Sequence, residues 1–404
     1  MTSATPGAAA SVAVVGSGPS GLYLVQALLA GRRDIAIDVF ERERTPLGLL
    51  RYGVAPDHLK IRSMEDRLLP PLDDPRVRWH GGVTVGEDLT REQLADAYDA
   101  VVYATGAPLP TTLDVPGADL RGVTYAVDVI DWYNAKPGAE AFLPHTAAER
   151  ILVIGGGNVA LDVGRMLLRE RQDLLSSDMP DDLLHHFDSS AARHVTIAIR
   201  RDYLSTRFNA KELLEIAHLP GVSVVADHGG PPPSEPDSPA SRVLASLPVE
   251  HSEARRRITF MFDTSLRRVE QTSAGSLIAV LQRPATEDSI GVDLVVGAIG
   301  YRNALPWQRD GLDTTDRLRE NEHLVGWAAT GPQGLLAAAR ASAAAVAAEV
   351  LARLSTSSTT SSAPARLRRD GHVSGADWAR HDQREREAGL ARGARRVKIR
   401  PYGA

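Results

Sequence analysis

Two glycine clusters and one arginine pair carry most of the chemistry available to this sequence. Gly16, Gly18 and Gly21 follow an apolar run in "SVAVVGSGPSGLYLVQALL", in the order G-x-G-x-x-G. The first glycine permits a tight turn, the second lets the backbone approach a diphosphate, and the third lets helix and strand pack closely. Pro19 and Ser20 then open a helix whose N-terminus faces the phosphates. Glu41 closes the next apolar run, where a carboxylate can accept hydrogen bonds from a ribose diol. The spacing specifies an FAD or NAD site.

The device occurs again in "ILVIGGGNVALDVGRML", where Gly155, Gly157 and Ala160 give G-x-G-x-x-A, with Asn158 and Val159 between them. Here the following strand ends in Arg200 and Arg201 rather than in an acid. A carboxylate at that point would repel a 2′-phosphate, whereas two guanidiniums bind it with charge-assisted hydrogen bonds. Unless the two are simply surface arginines after a strand, the second site prefers NADP(H). Two cradles of different type imply that one cofactor passes a hydride to the other, with FAD in the first and NADPH in the second.

The elements that must position these residues are two βαβ openings about 140 residues apart. The first reads as strand Val12–Val15, a helix from Ser20 to Leu29, and strand Ile35–Phe40. The second reads as strand Ile151–Ile154, a helix from Asn158 into Arg169, and a β-branched run from Val195 to Arg201. Between the last two lies a polar segment best read as an inserted helical piece. "YDAVVYATGA" and "VDLVVGAIGYR" read as buried parallel strands reaching a ligand crevice. Gly334 opens a long alanine-rich helix, "GLLAAARASAAAVAAEVLARL". The fold class expected is α/β, two Rossmann-like dinucleotide-binding domains.

Composition narrows the chemistry further. The chain has 404 residues, 43% of them hydrophobic, and a formal charge of −5, which gives no general attraction to nucleic acid. No segment reaches the length of a membrane span, and the first thirty residues lack the layout of a secretory signal, so a cytoplasmic protein without membrane insertion is expected. There is no cysteine. That removes a redox disulfide, a thiolate-bound iron–sulfur cluster and a cysteine-ligated zinc. "GGPPPSEPDSPAS" (229–241) reads as an exposed loop and "STSSTTSSAPA" (355–365) as a flexible linker. The stretch 366–404 holds eleven Lys/Arg against five Asp/Glu. It reads either as a solvated tail packing back through Trp378 or as a docking surface for an acidic partner.

"RTPLGLLRYGVAPDHLKIR" (Arg44–Arg62), with "IGGGNVALDVGR", "IRRDYLSTRFNAKELLEI", "GAIGYR", "VGWAATGPQG" and the closing "RRVKI", resembles the adrenodoxin-reductase-like ferredoxin–NADP reductases, in order and over nearly the whole chain. The resemblance implies a flavoprotein with non-covalent FAD that moves electrons from NADPH to a ferredoxin-type iron–sulfur protein, which can in turn feed a monooxygenase. It implies a discontinuous FAD domain, 1–106 and 303–404, with the NADP domain, 107–302, inserted. FAD contacts would fall on Gly16, Gly18, Pro19, Ser20, Gly21, Glu41, Leu49 and Val83, with Trp327, Gly334, Leu335 and Leu336 near the isoalloxazine. Trp327 alone would also suit a core. The dipole of the helix opening at Gly334 would favour the anionic reduced flavin. NADP contacts would fall on Gly155, Gly157, Asn158, Val159, Ala160, Arg200, Arg201 and Glu212. His58 and Glu215 match the family's active-site histidine–carboxylate pair, although His58 by itself also suits a structural turn.

The sequence departs from that family in places. "TGPQGLLAAA" stands where the family has "RGPTGVIGTN", Leu47 replaces an aromatic before "GL", and the proline-rich stretch 229–241 replaces a basic docking loop. These differences bear on the electron acceptor. A diverged flavoenzyme acting directly on a small molecule or oxygen is the alternative, and a redox-inactive FAD-binding assembly protein is a third reading.

Overall fold

The computed structural model describes residues 10–139, 142, 147–228, 236–250, 252–273, 275–303, 318–354 and 372–400. The chain forms two compact units: Met1–Val54, His58–Leu109 and Tyr301–Ala404 in one, Ala55–Asp57 and Pro110–Gly300 in the other. The proposed linker 355–365 and residues 229–235 of the proline-rich loop lie outside the described residues.

The first unit begins with β1 (Ala10–Val15), α1 (Pro19–Gly31) and β2 (Ile35–Glu41), followed by the short helix α2 (Leu49–Tyr52), β3 (Val77–Gly81) and β4 (Ala100–Tyr103). The second supplies β5 (Val123–Tyr125), β6 (Arg150–Ile154), α3 (Asn158–Leu167), β7 (His194–Ala198), α4 (Ala210–Ala217), β8 (Val222–Asp227) and β9 (Arg256–Met261). An antiparallel trio follows, β10 (Ser265–Gln271), β11 (Leu277–Gln282) and β12 (Glu287–Val292), then β13 (Leu294–Gly297). The chain returns to the first unit with β14 (Glu322–Leu324), α5 (Leu336–Leu354), β15 (Val373–Ser374) and α6 (Gly375–Arg392).

The first unit's sheet runs β14-β4-β1-β2-β3-β15, with only β15 antiparallel to its neighbour. The second unit's main sheet runs β5-β13-β6-β7-β9-β8, all parallel. Both central strands carry continuous apolar runs because both faces of a parallel sheet are covered. In the second unit helices cover one face, and the antiparallel trio packs Leu266, Leu277 and Leu281 against Leu152 and Val295 on the other. Val12, Val14, Leu152 and Val153 are accordingly fully buried. The first turn of each unit therefore emerges at the carboxyl end of a central strand, where open α/β sheets bind ligands.

The polar insertion after α3 is helical, at Arg171–Leu174 and Asp181–Asp188, as its length suggested. Two boundaries differ from expectation. Gly334 has φ +79°, outside the right-handed helical region, so the alanine-rich helix starts at Leu336. The end of the proline-rich stretch is not loop: Ser238 caps a helix over Pro239–Ser246 and accepts from the Ser241 N–H. The basic C-terminal stretch packs back through Trp378, as expected, but is less solvated than a tail. Trp378 is buried 6.5 Å from Trp79, and Arg396 and Lys398 are buried as well. Among the described residues, no helix is long and apolar enough to cross a membrane.

Candidate functional site

In the first unit the loop after β1 is packed tightly behind and open in front. A Cβ on Gly16, whose φ is +104°, would lie 2.5 Å from the Ala104 carbonyl oxygen, and one on Gly21 would lie 2.1 Å from that of Gly16. Those two glycines let strand and helix meet. Gly18 is different: an added Cβ would find nothing closer than the Gly48 Cα at 4.0 Å. Its surroundings are open where backbone N–H groups would meet a diphosphate. Pro19 starts α1, where a missing N–H costs nothing, and Ser20 follows it.

Glu41 ends β2 and is buried beneath this loop. Its Oε2 accepts from the Ser17 N–H at 2.8 Å and the Ser17 hydroxyl at 2.9 Å, and its Oε1 from the Glu43 N–H at 3.1 Å. Burial holds its carboxyl above the ordinary range, against the lowering effect of those donors. Sequence reasoning missed Ser17, which occupies a variable position of the glycine motif. The Val83 N–H donates to the Glu41 carbonyl at 2.9 Å, which seats buried Val83 at the same strand end.

Leu47 and Gly48 bring a second loop onto the first. The Leu47 N–H donates to the Ser17 carbonyl at 2.9 Å, and Leu47 takes φ +83°. A left-handed leucine costs about 1–2 kcal/mol, so surrounding contacts must hold it there. Leu49 opens α2 and remains exposed. On the other side, Gly326, with φ +64°, has no room for a side chain, because a Cβ would lie 2.1 Å from the Ser20 hydroxyl. Trp327 follows it, half-buried, with its indole N–H donated to the Gln333 carbonyl at 2.8 Å. Gly334 and Leu335 come next, both exposed, and Leu336 begins α5.

The second unit repeats the pattern. A Cβ on Gly155 would lie 2.3 Å from the Ala298 carbonyl oxygen, whereas one on Gly157 would meet nothing within 4 Å. Ala160 is buried against the strand, and Val159 packs beside the core. The Asn158 side-chain carbonyl accepts from the Asn209 N–H at 2.8 Å, tying the loop to the start of α4. Arg200 and Arg201 follow β7, both exposed, and neither guanidinium has a partner among the described residues. Two free cations at the end of the strand beside the glycine loop are available for an anion.

Glu212 and Glu215 both lie on α4. Glu212 is half-buried, and Glu215 is exposed, 3.7 Å from Lys211. His58 belongs to the first unit, half-buried at the start of the turn Leu59–Arg62. A carboxylate–guanidinium cluster that sequence reasoning missed lies in the second unit: Arg165 pairs with Asp57 and with Asp162 at 2.5 Å, and Arg169 reaches Asp57 at 3.1 Å. Burial first, and then the charge of Arg169, push the Arg165 guanidinium down to about 10. Asp57 lies within the "GVAPDH" block, but no local pattern announces a partner 108 residues away.

Two strand–glycine loop–helix cradles, one backed by a buried acid and one by free arginines, define an oxidoreductase that handles two dinucleotides. The profile of the pyridine nucleotide-disulphide oxidoreductase family matches residues 10–226. The chain is 35% identical over 369 residues to the NADPH-ferredoxin reductase FprA of Mycobacterium tuberculosis, covering 80% of each. It is 40% identical over 221 residues to the mitochondrial NADPH:adrenodoxin oxidoreductase of Salvelinus fontinalis, covering 55% of this chain and 44% of the relative. The solved structure of M. tuberculosis FprA in complex with NADPH superimposes with a TM-score of 0.87 at 31% identity, covering 96% of this chain and 97% of that one.

The chain belongs to the pyridine nucleotide-disulphide oxidoreductase family, in the branch that contains the NADPH-ferredoxin and adrenodoxin reductases. Its cofactors are FAD and NADP(H). The disulphide of the family's name has no counterpart here, since the chain contains no cysteine.

Proposed function

We propose that this protein draws electrons from NADPH through FAD and delivers them to a ferredoxin-type iron–sulfur protein in the cytoplasm. The observation that carries this reading is the opposite charge of the two cradles: Glu41 beneath the first, and Arg200 with Arg201, exposed, beside the second. FAD supplies chemistry that no side chain here possesses, taking up a hydride and releasing electrons one at a time.

The chain's own part is to bind and position. Gly18, Ser20 and Gly21 present backbone N–H groups to the FAD diphosphate, while Gly16 makes the turn and Pro19, which has no N–H, opens the helix; Glu41 offers its remaining lone pairs to the ribose. Leu49, Val83, Trp327, Gly334, Leu335 and Leu336 serve the flavin end. The N-terminus of α5 would set a positive dipole near the reduced ring. Gly155, Gly157, Asn158, Val159 and Ala160 hold the NADPH diphosphate, and Glu212 assists from α4. Arg200 and Arg201 bind the 2′-phosphate with paired charge-assisted hydrogen bonds, which select NADPH over NADH. His58 and Glu215 are assigned to the nicotinamide by the family resemblance. Hydride transfer depends on placement more than on acid–base help, so their task is orientation.

The test is anaerobic stopped-flow reduction of the bound flavin by NADPH and by NADH, followed by cytochrome c reduction with and without a ferredoxin. The reading requires fast bleaching by NADPH, slow bleaching by NADH, and cytochrome c reduction only when ferredoxin is present. NADPH consumption that yields product without any protein acceptor would instead support direct action on a small molecule or oxygen. Failure of NADPH to bleach the flavin would point to a redox-inactive binding protein.

A further inference from the structure

The C-terminal segment forms a buried ionic cluster with the loop that lies on the first glycine turn. Ser374 caps α6 through the Asp377 N–H at 3.3 Å, and Trp378 fixes the helix against the sheet. The helix ends at Gly393 in the left-handed conformation, with φ +73°, and the chain doubles back. The return is close: a Cβ on Gly389 would lie 2.4 Å from the Arg396 Cα. Residues 395–399 therefore lie along their own helix.

Glu385 sits at the centre with no solvent exposure. It takes Arg51 in two hydrogen bonds, at 2.6 and 2.9 Å, and Arg396 at 2.8 Å. The His381 ring lies 3.1 Å away, and the Ile399 N–H donates to it at 2.9 Å. Arg396 continues the cluster to Glu65 at 2.9 Å and Asp382 at 2.8 Å. Lys398 donates to the Arg51 carbonyl at 2.9 Å, and its ammonium lies 5.7 Å from the centroid of the Tyr52 ring. The Arg51 guanidinium lies 5.5 Å from the Trp378 ring. Arg62 donates to the same Arg51 carbonyl at 2.7 Å.

Arg51 and Tyr52 form the second half of α2. Their N–H groups donate to the Gly48 carbonyl at 3.0 and 2.9 Å, and the Tyr52 hydroxyl meets Thr45 at 2.9 Å. Gly48 in turn lies against Gly18, and Leu47 is bonded to Ser17. A continuous set of contacts thus runs from the C-terminal residues to the first glycine turn. It accounts for a leucine held at positive φ.

We propose that the segment Ser374–Ile399 is a lock on the FAD site: through Glu385, Arg51 and Lys398 it sets Leu47–Leu49 against the Gly16–Gly21 turn, so that FAD binding and docking of the segment reinforce each other. Coupling of this kind is reciprocal, and FAD must tighten the segment as much as the segment tightens FAD. The isolated features would not require this. A buried ion pair whose partners lie 334 residues apart could serve stability alone. What assigns a binding role is that its far end terminates on the open face of Gly18. Glu385, Arg51 and Lys398 are positioning residues; none is assigned to touch the substrate.

The proposal rests on the first unit being the FAD site, and the experiment separates the two. FAD is titrated into the full-length apoprotein and followed by quenching of flavin fluorescence, while 2′,5′-ADP binding by calorimetry reports the second unit. Glu385→Gln should raise the Kd for FAD at least tenfold and leave that for 2′,5′-ADP unchanged. Lys398→Met, which removes the contacts to the Arg51 carbonyl and the Tyr52 ring and leaves Glu385 with Arg51 in place, should raise it about threefold and covers the case in which Glu385→Gln does not fold. In the wild type, trypsin should release the C-terminal segment by cutting after Arg380, Arg384 or Arg386 within α6 at least ten times faster from apoprotein than from holoprotein. A lowered Tm with unchanged Kd for FAD, or equal release rates in the two forms, would overturn the lock. A wild-type apoprotein that takes up no FAD would overturn the site reading itself.

Discussion

At the scale of single residues, two charged groups separate what a sequence declares from what it conceals. Arg200 and Arg201 could be proposed from sequence because a Rossmann unit places the residue that reads the ribose at a fixed spot, the end of the second strand. Both side chains are exposed and have no partner among the described residues. A charge-assisted hydrogen bond is worth about 1.5–3 kcal/mol. Replacing both by Gln should therefore lower the second-order rate of flavin reduction by NADPH on the order of a hundredfold, with little change for NADH, in stopped-flow measurements. Glu385 was not legible. It lies in "RHDQREREAGLAR", which reads as a solvated helix face, and its partner lies 334 residues earlier. Burial alone would raise its carboxyl; Arg51, the His381 hydrogen bond and Arg396 overcome that and hold it well below the ordinary range. Its folded value thus lies under its unfolded one. The stability it contributes is present above about pH 4 and is lost as pH falls through the folded value. Denaturant titrations at pH 7 and pH 3.5 should show a smaller loss on acidification for Glu385→Gln than for the wild type.

At the scale of elements, each glycine loop divides into positions packed against the fold and positions left open, and the two should respond differently to the same change. Gly16 has φ +104° and a carbonyl 2.5 Å from where a side chain would begin, whereas Gly157 has φ −121° and open space. Gly157→Val should keep the Tm of the wild type within about 2–4 °C and weaken 2′,5′-ADP-type ligands severely, as read by calorimetry. Gly16→Val should instead lower the Tm by far more, because the strand–helix junction must open to admit it. The central strands and first helices could be read from glycine spacing and apolar runs, because both are local. The helix over Pro239–Ser246 was hidden by a proline-rich composition that also suits a helix start, where Pro costs nothing. The start of α5 was misread by two residues, since Gly334 marks the turn before a helix as well as a helix end does.

At the scale of the whole molecule, the absence of cysteine gives a prediction independent of any site assignment. Members of this family named for disulphide chemistry need a reactive thiol pair, and this chain has none. Treatment of the holoprotein with excess maleimide should therefore leave NADPH-driven flavin reduction unchanged in stopped-flow traces; inhibition would mean that another nucleophile governs the reaction. The discontinuous first unit has a further consequence. Both outermost strands of its sheet, β14 and β15, come from the last fifth or so of the chain, while the four between them lie in its first quarter or so. During synthesis the whole of β5 to β13 leaves the ribosome before either flank of that earlier four-stranded core is covered. For most of translation, then, the nascent polypeptide carries two bare hydrogen-bonding margins, the kind of surface that invites mispairing with neighbouring chains. Flavin capture becomes one of the last events in the protein's production, and slow or truncated synthesis should yield colourless, aggregation-prone product in preference to partly active enzyme.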